Sequence, residues 1–181
     1  METKGEEGSF TPIFVVLIVS IAIASFWDKF PIIKNSVHLV LNPTAGILLN
    51  WNITYGMMLI VLIITFLTTL IQKYATDQET LRELKKEQKE LQKKSQEFKN
   101  HPEKMMEIQK EIFPLTMRSM KLSMRPIIFT GVPFILFFRW FMDVFTALGN
   151  PKFFGFLTWF WFYLIFTLIF SSILRKVLKV V

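Results

Sequence analysis

The sequence has no cysteine and two isolated histidines, His38 and His101. The missing cysteines exclude a disulfide scaffold, and the hydrophobic segments contain no paired acidic residues that could hold a metal ion with a histidine. A glycine-rich phosphate loop, a nucleophile motif and a redox pair are missing as well. We therefore expect no catalytic residue, no metal site, no cofactor and no small-molecule substrate, in a protein that is not an enzyme.

Charge is scarce outside one part of the chain. The sequence has 21 Lys and Arg and 14 Asp and Glu, and 13 of the basic and 9 of the acidic residues lie in 73–125. A soluble domain mixes charges along its length. This segregation, together with 52% hydrophobic residues, excludes a disordered tail or a collagen-like chain and argues against an ordinary cytosolic enzyme.

Long uncharged runs predict membrane spans, because a helix needs about 20 apolar residues to cross the hydrocarbon core. The runs are 8–27, 35–72, 126–138 and 153–174. The third run is short and contains Gly131 and Pro133, which favour a kink and local thinning of the bilayer. We predict an all-α integral membrane protein with a three-helix transmembrane core, at 55–73, 126–148 and 152–175.

Two further hydrophobic segments precede the core. Asn42–Gly46 (NPTAG) interrupts a helical pattern, so 35–54 is predicted as an external interfacial loop or short helix. Segment 1–34 carries the remaining hydrophobic run. It is a fourth span or uncleaved anchor, a signal peptide cleaved near Ala22–Ala24 (AIA), or a helix in the outer interface, and the sequence leaves all three open.

The positive-inside rule orients the chain. Residues 74–125 and the tail 176–181 are basic, which places both in the cytoplasm. Two spans between them return the chain to the same side, so the two assignments agree. Trp51, Trp140 and Trp159 are then expected at the outer interface, where aromatic residues are enriched.

Segment 74–125 has the pattern of an antiparallel coiled-coil hairpin. The seam of its first arm is Leu81, Leu84, Leu91 and Phe98, with Gln88 and Ser95 as polar interruptions. Thr76 with Glu79 predicts a capping box, and Asn100-His101-Pro102 predicts the start of the second arm. The charged faces are either simply solvated or a docking surface for the phosphates of ribosomal RNA.

Polar residues in the spans lie at similar depth. Thr65, Thr68, Thr69 and Gln72 share one face of the first core span, Tyr163, Thr167 and Ser171 share one face of the third, and Thr130 lies in the second. They either line a hydrophilic groove open to the cytoplasm or form hydrogen bonds between helices. Lys73, Arg125 and Arg175 lie at the predicted rim.

Two further groups have alternative roles. Met117, Met120 and Met124 share a helix face, which either packs on the membrane domain or contacts hydrophobic client chains, because methionine adapts to varied apolar partners. Arg139 is spaced for an ion pair with Asp143. Its side chain either reaches the outer interface or provides the groove charge.

Three stretches carry a resemblance to a known family: the span-to-hairpin junction Tyr74–Leu91 (YATDQETLRELKKEQKEL), the run into Met124-Arg125-Pro126, and Leu41–Leu48 (LNPTAGIL). With the order of span, hairpin and two spans, they make roughly 40–181 resemble the YidC/Oxa/Alb superfamily of membrane protein insertases, in its archaeal YidC-like branch. Bacterial members have five core spans and often a basic groove residue. Two spans are missing here, and the cytoplasmic half of the first core span has no basic residue before Lys73 at its end.

The resemblance implies an insertase that moves client segments from the ribosome into the lipid bilayer through a hydrophilic groove without nucleotide energy. It also implies a multi-pass protein of the plasma membrane, ribosome contact through the hairpin, and kinship with insertase subunits of endoplasmic-reticulum complexes. The main alternative is a structural membrane scaffold that recruits a partner through its hairpin. A small channel or transporter is third, since no charged file crosses the bilayer.

Overall fold

The computed structural model describes residues 10–99 and 101–180. Residues 1–9 of the predicted N-terminal segment, Asn100 at the predicted start of the second arm, and Val181 lie outside the described residues. No β-strand occurs in the described part, which confirms the all-α class. Its α-helices are α1 (Thr11–Ser25), α2 (Pro31–Leu41), α3 (Ile47–Trp51), α4 (Ile53–Ala75), α5 (Gln78–Glu97), α6 (Pro102–Ala147) and α7 (Trp159–Leu178).

Three of these helices, α4, α6 and α7, are long and apolar enough to cross a membrane. They contain most of the predicted core spans, but α7 begins at Trp159 instead of residue 152. The preceding residues form a turn in which Gly149 and Gly155 take positive φ values of 74° and 84°, a conformation that glycine adopts without steric cost. The end of the spans beside α5 is called the hairpin side below, and the opposite end the far side.

Helix α1 runs beside α6 in the same direction. Lys121 of α6 lies over the ring of Phe10, at the start of α1. Further along, Val16 is the nearest neighbour of Gly131. The 15 residues of α1 cover about 22 Å at 1.5 Å per residue. Helix α1 therefore packs lengthwise on α6, and it is shorter than the three helices that could cross a membrane.

The second hairpin arm and the second core span, predicted as separate segments, are one continuous helix. The 46 residues of α6 include Pro114, Pro126 and Pro133. A proline inside a helix removes the hydrogen bond to the carbonyl four residues earlier. For Pro126 this is the Leu122 carbonyl, which instead accepts from the Thr76 hydroxyl at 3.5 Å. An outside donor thus replaces the lost bond.

The start of α5 is capped by Asp77, and the predicted capping box at Thr76 is wrong. Asp77 accepts hydrogen bonds from the Thr80 amide at 3.1 Å and from the Thr80 hydroxyl at 2.6 Å. Thr76 is buried and turned toward α6. Asp77 caps the helix in place of Thr76 because it directly precedes the first helical residue. From that position a side chain reaches the free backbone amides of the first turn.

Replacing Asp77 with alanine should destabilise the hairpin by about 1 kcal/mol at neutral pH, the usual loss for one helix cap. Hydrogen bonds from Thr80 lower the pKa of Asp77 from its ordinary value of 3.8. Because the pKa is lower in the folded state, the ionised carboxylate stabilises the fold fully above the ordinary value. This contribution is lost as the pH falls through the lower pKa of the folded state. The difference in unfolding temperature between the two proteins in detergent micelles should therefore shrink from about pH 5 to about pH 3.

Asp77→Asn is the matched control, because asparagine also caps helices but does not titrate. It should keep most of the stability at both pH values. A difference between the wild type and Asp77→Ala that is the same at both pH values would show that the cap contributes nothing through its charge.

The hairpin packs α5 against the first half of α6 along the predicted seam. Leu81, Leu84 and Ser95 are buried on α5, and Ile112 and Ser119 are buried on α6. Pro102 is the first residue of α6, as predicted. At the base of the hairpin, Arg82 Nη2 donates to the Lys179 carbonyl at 2.7 Å. This contact places the C-terminal end of α7 on the hairpin side.

Residues 31–51 are helical throughout, whereas Asn42–Gly46 was predicted to interrupt the helix. These residues form a π-helical turn that joins α2 to α3. Such a turn accommodates Pro43, which lacks an amide hydrogen. The Asn42 side chain accepts a hydrogen bond from Trp140 Nε1 at 2.9 Å. Trp140 is fully buried, so the expectation that it marks the outer interface is wrong.

Candidate functional site

The far half of the space between α6 and α7 is filled by aromatic rings. Phe145 stacks on Trp159 with a ring separation of 5.8 Å and an interplanar angle of 6°. One turn below, Phe141 contacts both Trp159 and Tyr163, and Phe134 contacts Tyr163 at 6.1 Å. Large aromatic side chains bury much apolar surface. The bundle is therefore closed toward the far side.

The polar residues predicted to line a groove lie in the other half, below this aromatic layer. On α4, Thr65 and Thr69 are 2% and 3% exposed. Their hydroxyls donate to the carbonyls of Val61 and Thr65, each at 2.6 Å. These two threonines satisfy their hydroxyls inside their own helix and are packed against neighbours, which is the helix-packing alternative.

The other predicted residues of α4 and α6 are half-buried. Thr68 donates to the Ile64 carbonyl at 2.9 Å, and Thr130 donates to the Pro126 carbonyl at 3.0 Å. The Gln72 carbonyl accepts from the Gln78 side chain at 3.0 Å, at the junction of α4 and the hairpin. The Gln72 amide itself is partly exposed. These side chains offer polar atoms at the surface of the hairpin-side half.

On α7, the three predicted residues follow one another at intervals of four, so they share a face. Tyr163 is buried under the aromatic layer, whereas Thr167 and Ser171 are half-buried. The face therefore changes from aromatic to polar as it approaches the hairpin side. The structure brings the polar residues of α7 to the same side of the aromatic layer as those of α4 and α6.

Basic side chains surround the hairpin-side end of the spans. Lys73 lies over the Tyr74 ring at 6.0 Å, at the end of α4. Arg125 is close enough to Asp77 to contribute to the lowering of that residue's pKa. Arg175 is exposed in the last turn of α7. All three predicted rim charges therefore lie at one end of the bundle.

The helical spacing predicted an ion pair between Arg139 and Asp143, but Arg139 has other partners in the structure. Its Nη2 lies 3.5 Å from Asp28, and its guanidinium lies over the Trp27 ring at 5.7 Å. Asp143 accepts from Trp27 Nε1 at 2.9 Å and lies 3.0 Å from His38 Nε2. Trp27 and Asp28 lie in the connection between α1 and α2, and this connection brings them closer to Arg139 and Asp143 than these two residues of α6 are to each other. Arg139 is thereby held beside α1 at the far side, not among the polar residues of the other half.

This far-side cluster was missed by the sequence reasoning. It also includes Lys34, which lies 2.8 Å from Asp28 and 3.4 Å from Asp143. The hydrogen bond with Asp28 raises the pKa of Lys34. One signal was present in the sequence: Asp28, Lys29 and Lys34 are the charges that separate the first two hydrophobic runs, and Arg139 and Asp143 directly follow the third.

Comparison with known protein families shows which family this chain belongs to. A family of integral membrane proteins described as EMC3/TMCO1-like matches residues 38–153, more than half of the chain. The chain belongs to the EMC3/TMCO1-like family. This family is insertase-related and is part of the YidC/Oxa1/Alb3/EMC3 superfamily, so the predicted superfamily is confirmed. No curated protein and no solved structure matches the chain.

The EMC3/TMCO1-like region extends from α2 to the turn before α7. It therefore includes the first core span, the hairpin and all of α6, whereas α1 and α7 lie outside it. The far-side cluster connects the two parts, because Trp27 and Asp28 precede the matched region and their partners Arg139 and Asp143 lie within it.

The predicted methionine surface lies on α6, inside the EMC3/TMCO1-like region. Met120 is exposed, and Met117 and Met124 are half-buried. The exposed apolar surface is longer than predicted, because residues at seven-residue intervals along α6 all remain exposed. They are Met106, Phe113, Met120, Ile127 and Phe134. Among the described residues, no group of three or more His, Asp or Glu side chains could hold a metal ion.

Proposed function

We propose that this EMC3/TMCO1-like chain is a membrane protein insertase of the archaeal YidC-like branch. In this proposal it helps client transmembrane segments from the ribosome enter the lipid bilayer of the plasma membrane. The observation that supports it best is the asymmetry between α6 and α7, which are joined by aromatic rings in the far half and carry polar side chains in the hairpin-side half. Such an arrangement admits water from one side and remains sealed on the other.

The hairpin and the C-terminal end are cytoplasmic in this proposal. The basic excess lies in 73–125 and after residue 175, and positive charge is retained in the cytoplasm. The contact of Arg82 with the Lys179 carbonyl is compatible with this orientation, since it joins the hairpin to the end of α7. The exposed basic residues of α5 then face the cytoplasm, where we propose that they contact ribosomal RNA through its phosphates.

A client helix would first bind the exposed apolar track of α6. Phe113 is 66% exposed, although it lies in the hairpin and far from the predicted lipid layer. Large apolar residues exposed in this way mark surfaces for other chains. The same helix face leads through Met120 to Thr130 and Phe134, so a bound segment would remain in contact with α6 as it moves toward the bilayer.

The polar flank of the client would cross through the hydrated half, and its apolar part would leave into lipid. Burial of the apolar segment supplies the driving force, at about 25 cal/mol per Å², so no nucleotide, cofactor or catalytic residue is required. Arg125 and Arg139 are 14 residues apart on α6, which corresponds to about 21 Å. Since the hydrocarbon core is about 30 Å thick, we propose that the bilayer is thinned here.

Site-specific photocrosslinking to a ribosome-bound nascent chain tests this function. A photoreactive residue at Thr68, Thr130 or Thr167 should crosslink to the client while its first span is emerging. Each position has an exposed neighbour as its matched control, namely Leu67, Phe129 and Leu168, which should crosslink mainly to lipid. Equal client crosslinking at the polar positions and their neighbours would contradict a groove.

The alternative is a membrane scaffold that recruits a partner through the hairpin, which the exposed charged surface of α5 favours. Exchanging Lys and Glu residues on the outer faces of α5, with the spans unchanged, separates the two functions. A scaffold should lose its partner and its activity. An insertase should still insert clients that are released from the ribosome before they reach the membrane.

A further inference from the structure

Helix α1 is fixed to α6 on the hairpin side and at mid-depth. Lys121 Nζ lies 5.7 Å from the centre of the Phe10 ring. Val16 and Ser20 face Gly131, and a Cβ at that glycine would come within 2.6 Å of Val16 Cγ1. The two backbones therefore approach closely, as small residues permit between membrane helices.

On the far side, polar contacts attach the end of α1 to both α2 and α6. Trp27 is 1% exposed and donates to Asp143 of α6. The same carboxylate contacts His38 and Lys34 of α2. Asp143 thus joins three elements through one group. Polar contacts of this kind are hard to break where little water is available.

The contacts divide α6 into faces with different neighbours. Lys121 and Gly131 face α1. Phe134 faces α7 through Tyr163, and Thr130 continues that face toward the hairpin side, because residues four positions apart share a helix face. Ile127 lies at the border of the two faces, since it is seven residues before Phe134 and four before Gly131, whose Cβ would lie 3.8 Å from Ile127 Cγ2. Ile127 is exposed and Thr130 half-buried. The α7 face of α6 is therefore closed at the far end and open below it, whereas the α1 face is covered along its length.

We infer that α1, which lies outside the EMC3/TMCO1-like region, is a fixed side wall of the groove and confines lateral exit of a client helix to the gap between α6 and α7. This inference rests on the proposed insertase function. If α1 is a fixed wall, it does not move while a client is inserted. Its tight fit at Gly131 and the contacts of Asp143 hold it against α6, while the client passes along the neighbouring face.

The position of α1 can be tested without any insertion assay. The chain has no cysteine, so the pair Val16→Cys and Gly131→Cys has no background reaction. The close approach at Gly131 suits a disulfide, whose Cβ atoms lie about 3.8 Å apart. Mild oxidation in membranes should link α1 to α6. The control pair is Val15→Cys with Gly131→Cys, because Val15 is exposed, and it should not form the bond.

If the variant at Gly131 fails to fold, Phe10→Cys with Lys121→Cys joined by a short bis-maleimide tests the same packing at the hairpin end. Failure of both pairs to link would overturn the placement of α1. Trp27→Phe keeps the aromatic ring but removes the donor to Asp143. It should slow disulfide formation between residues 16 and 131 several-fold, and an unchanged rate would show that the far-side contacts do not hold α1.

The exit is tested with the oxidised pair and two probes. Insertion of a single-span client by the disulfide-linked protein should stay within about twofold of the reduced form. A loss of tenfold or more on oxidation, reversed by reduction, would identify α1 as a moving gate and overturn the inference. A photoreactive residue at Ile127 should crosslink to the client's apolar segment, whereas one at Ile18, an exposed residue of α1, should not.

Equal client crosslinking at both isoleucines would also overturn the exit between α6 and α7. If neither the reduced nor the wild-type protein inserts the client, the proposed function fails and the exit route fails with it. Formation of the disulfide would still establish that α1 packs on α6, so the two failures can be told apart.

Discussion

Replacing Gln72, Thr167 and Ser171 together with leucine should lower the insertion of a client with a charged translocated flank by about tenfold or more. Gln72 and Ser171 are half-buried in the hairpin-side half, so water and a passing chain can reach them. The Thr167 hydroxyl oxygen is buried in the same half and adds a polar atom to its interior. Moving a polar group into an apolar environment without a hydrogen bond costs about 2–7 kcal/mol. The polar side chains would offset part of this cost for the client's charged flank. Losing about 1.4 kcal/mol of that stabilisation in the transition state already lowers the insertion rate tenfold.

The same substitutions should change insertion of a client with an uncharged, apolar flank by less than about threefold, because that flank needs no polar surface. The conservative variants Gln72→Asn, Thr167→Ser and Ser171→Thr are matched controls that keep polar atoms at the same positions. Protease protection of the translocated flank measures insertion. Equal losses for both clients would indicate a damaged fold, and no loss for either would contradict a polar route.

Replacing Gly56 with alanine should destabilise the protein by about 3 kcal/mol or more, although alanine usually favours a helix. A Cβ at this position would lie 2.1 Å from the Leu48 carbonyl oxygen and 2.9 Å from the Leu49 nitrogen. Both are backbone atoms of α3, which cannot move aside as a flexible side chain can. The short helix would have to separate from α4, and overpacking of this kind typically costs 1–3 kcal/mol even where side chains yield.

Gly46→Ala is the matched control for this prediction. There the nearest atom to the new Cβ, the Leu41 carbonyl oxygen, is 3.6 Å away, an ordinary contact. Alanine in a compatible conformation usually stabilises by about 0.4–1 kcal/mol because the unfolded chain is less flexible. Denaturant unfolding in mixed micelles should show opposite signs for the two variants. Similar stabilities would contradict the close packing of α3 on α4.

Several parts of the fold could be predicted from the sequence because local patterns determine them. The seam of α5 follows from apolar residues at heptad-like spacing, and Leu81, Leu84 and Ser95 are indeed buried. Pro102 begins α6 as predicted. The first and third core spans follow from uncharged length alone, whereas the uncharged run of the second, 126–138, is only 13 residues long. In each case the pattern and its structural consequence lie within one helix.

Contacts between distant parts of the chain could not be predicted in the same way. Helix α1 is apolar on every side, so no polar stripe indicates which face packs and which meets lipid. Arg139 was expected to pair with Asp143 because helical spacing considers neighbours on α6 alone. Its actual partner, Asp28, is 111 residues away in the chain. The small residues Ser20 and Gly131 were the available signal for close helix packing.

The candidate site shows the same limit. Spacing correctly grouped Thr65, Thr68 and Thr69 on one helix, but it could not show that Thr65 and Thr69 are buried and bonded to their own backbone. Nor could it show the aromatic layer at Tyr163, because the rings come from two helices. Burial depends on the neighbouring helix, and a single sequence does not reveal that neighbour.

The central claim is insertion, and reconstitution tests it most directly. The purified chain is placed in liposomes without other proteins, and a single-span client with a short polar tail is supplied in released form. The amount of protease-protected client should exceed the amount in protein-free liposomes, and this excess should fall with the triple leucine variant but not with its conservative counterpart. Equal protection with and without the chain would contradict the account.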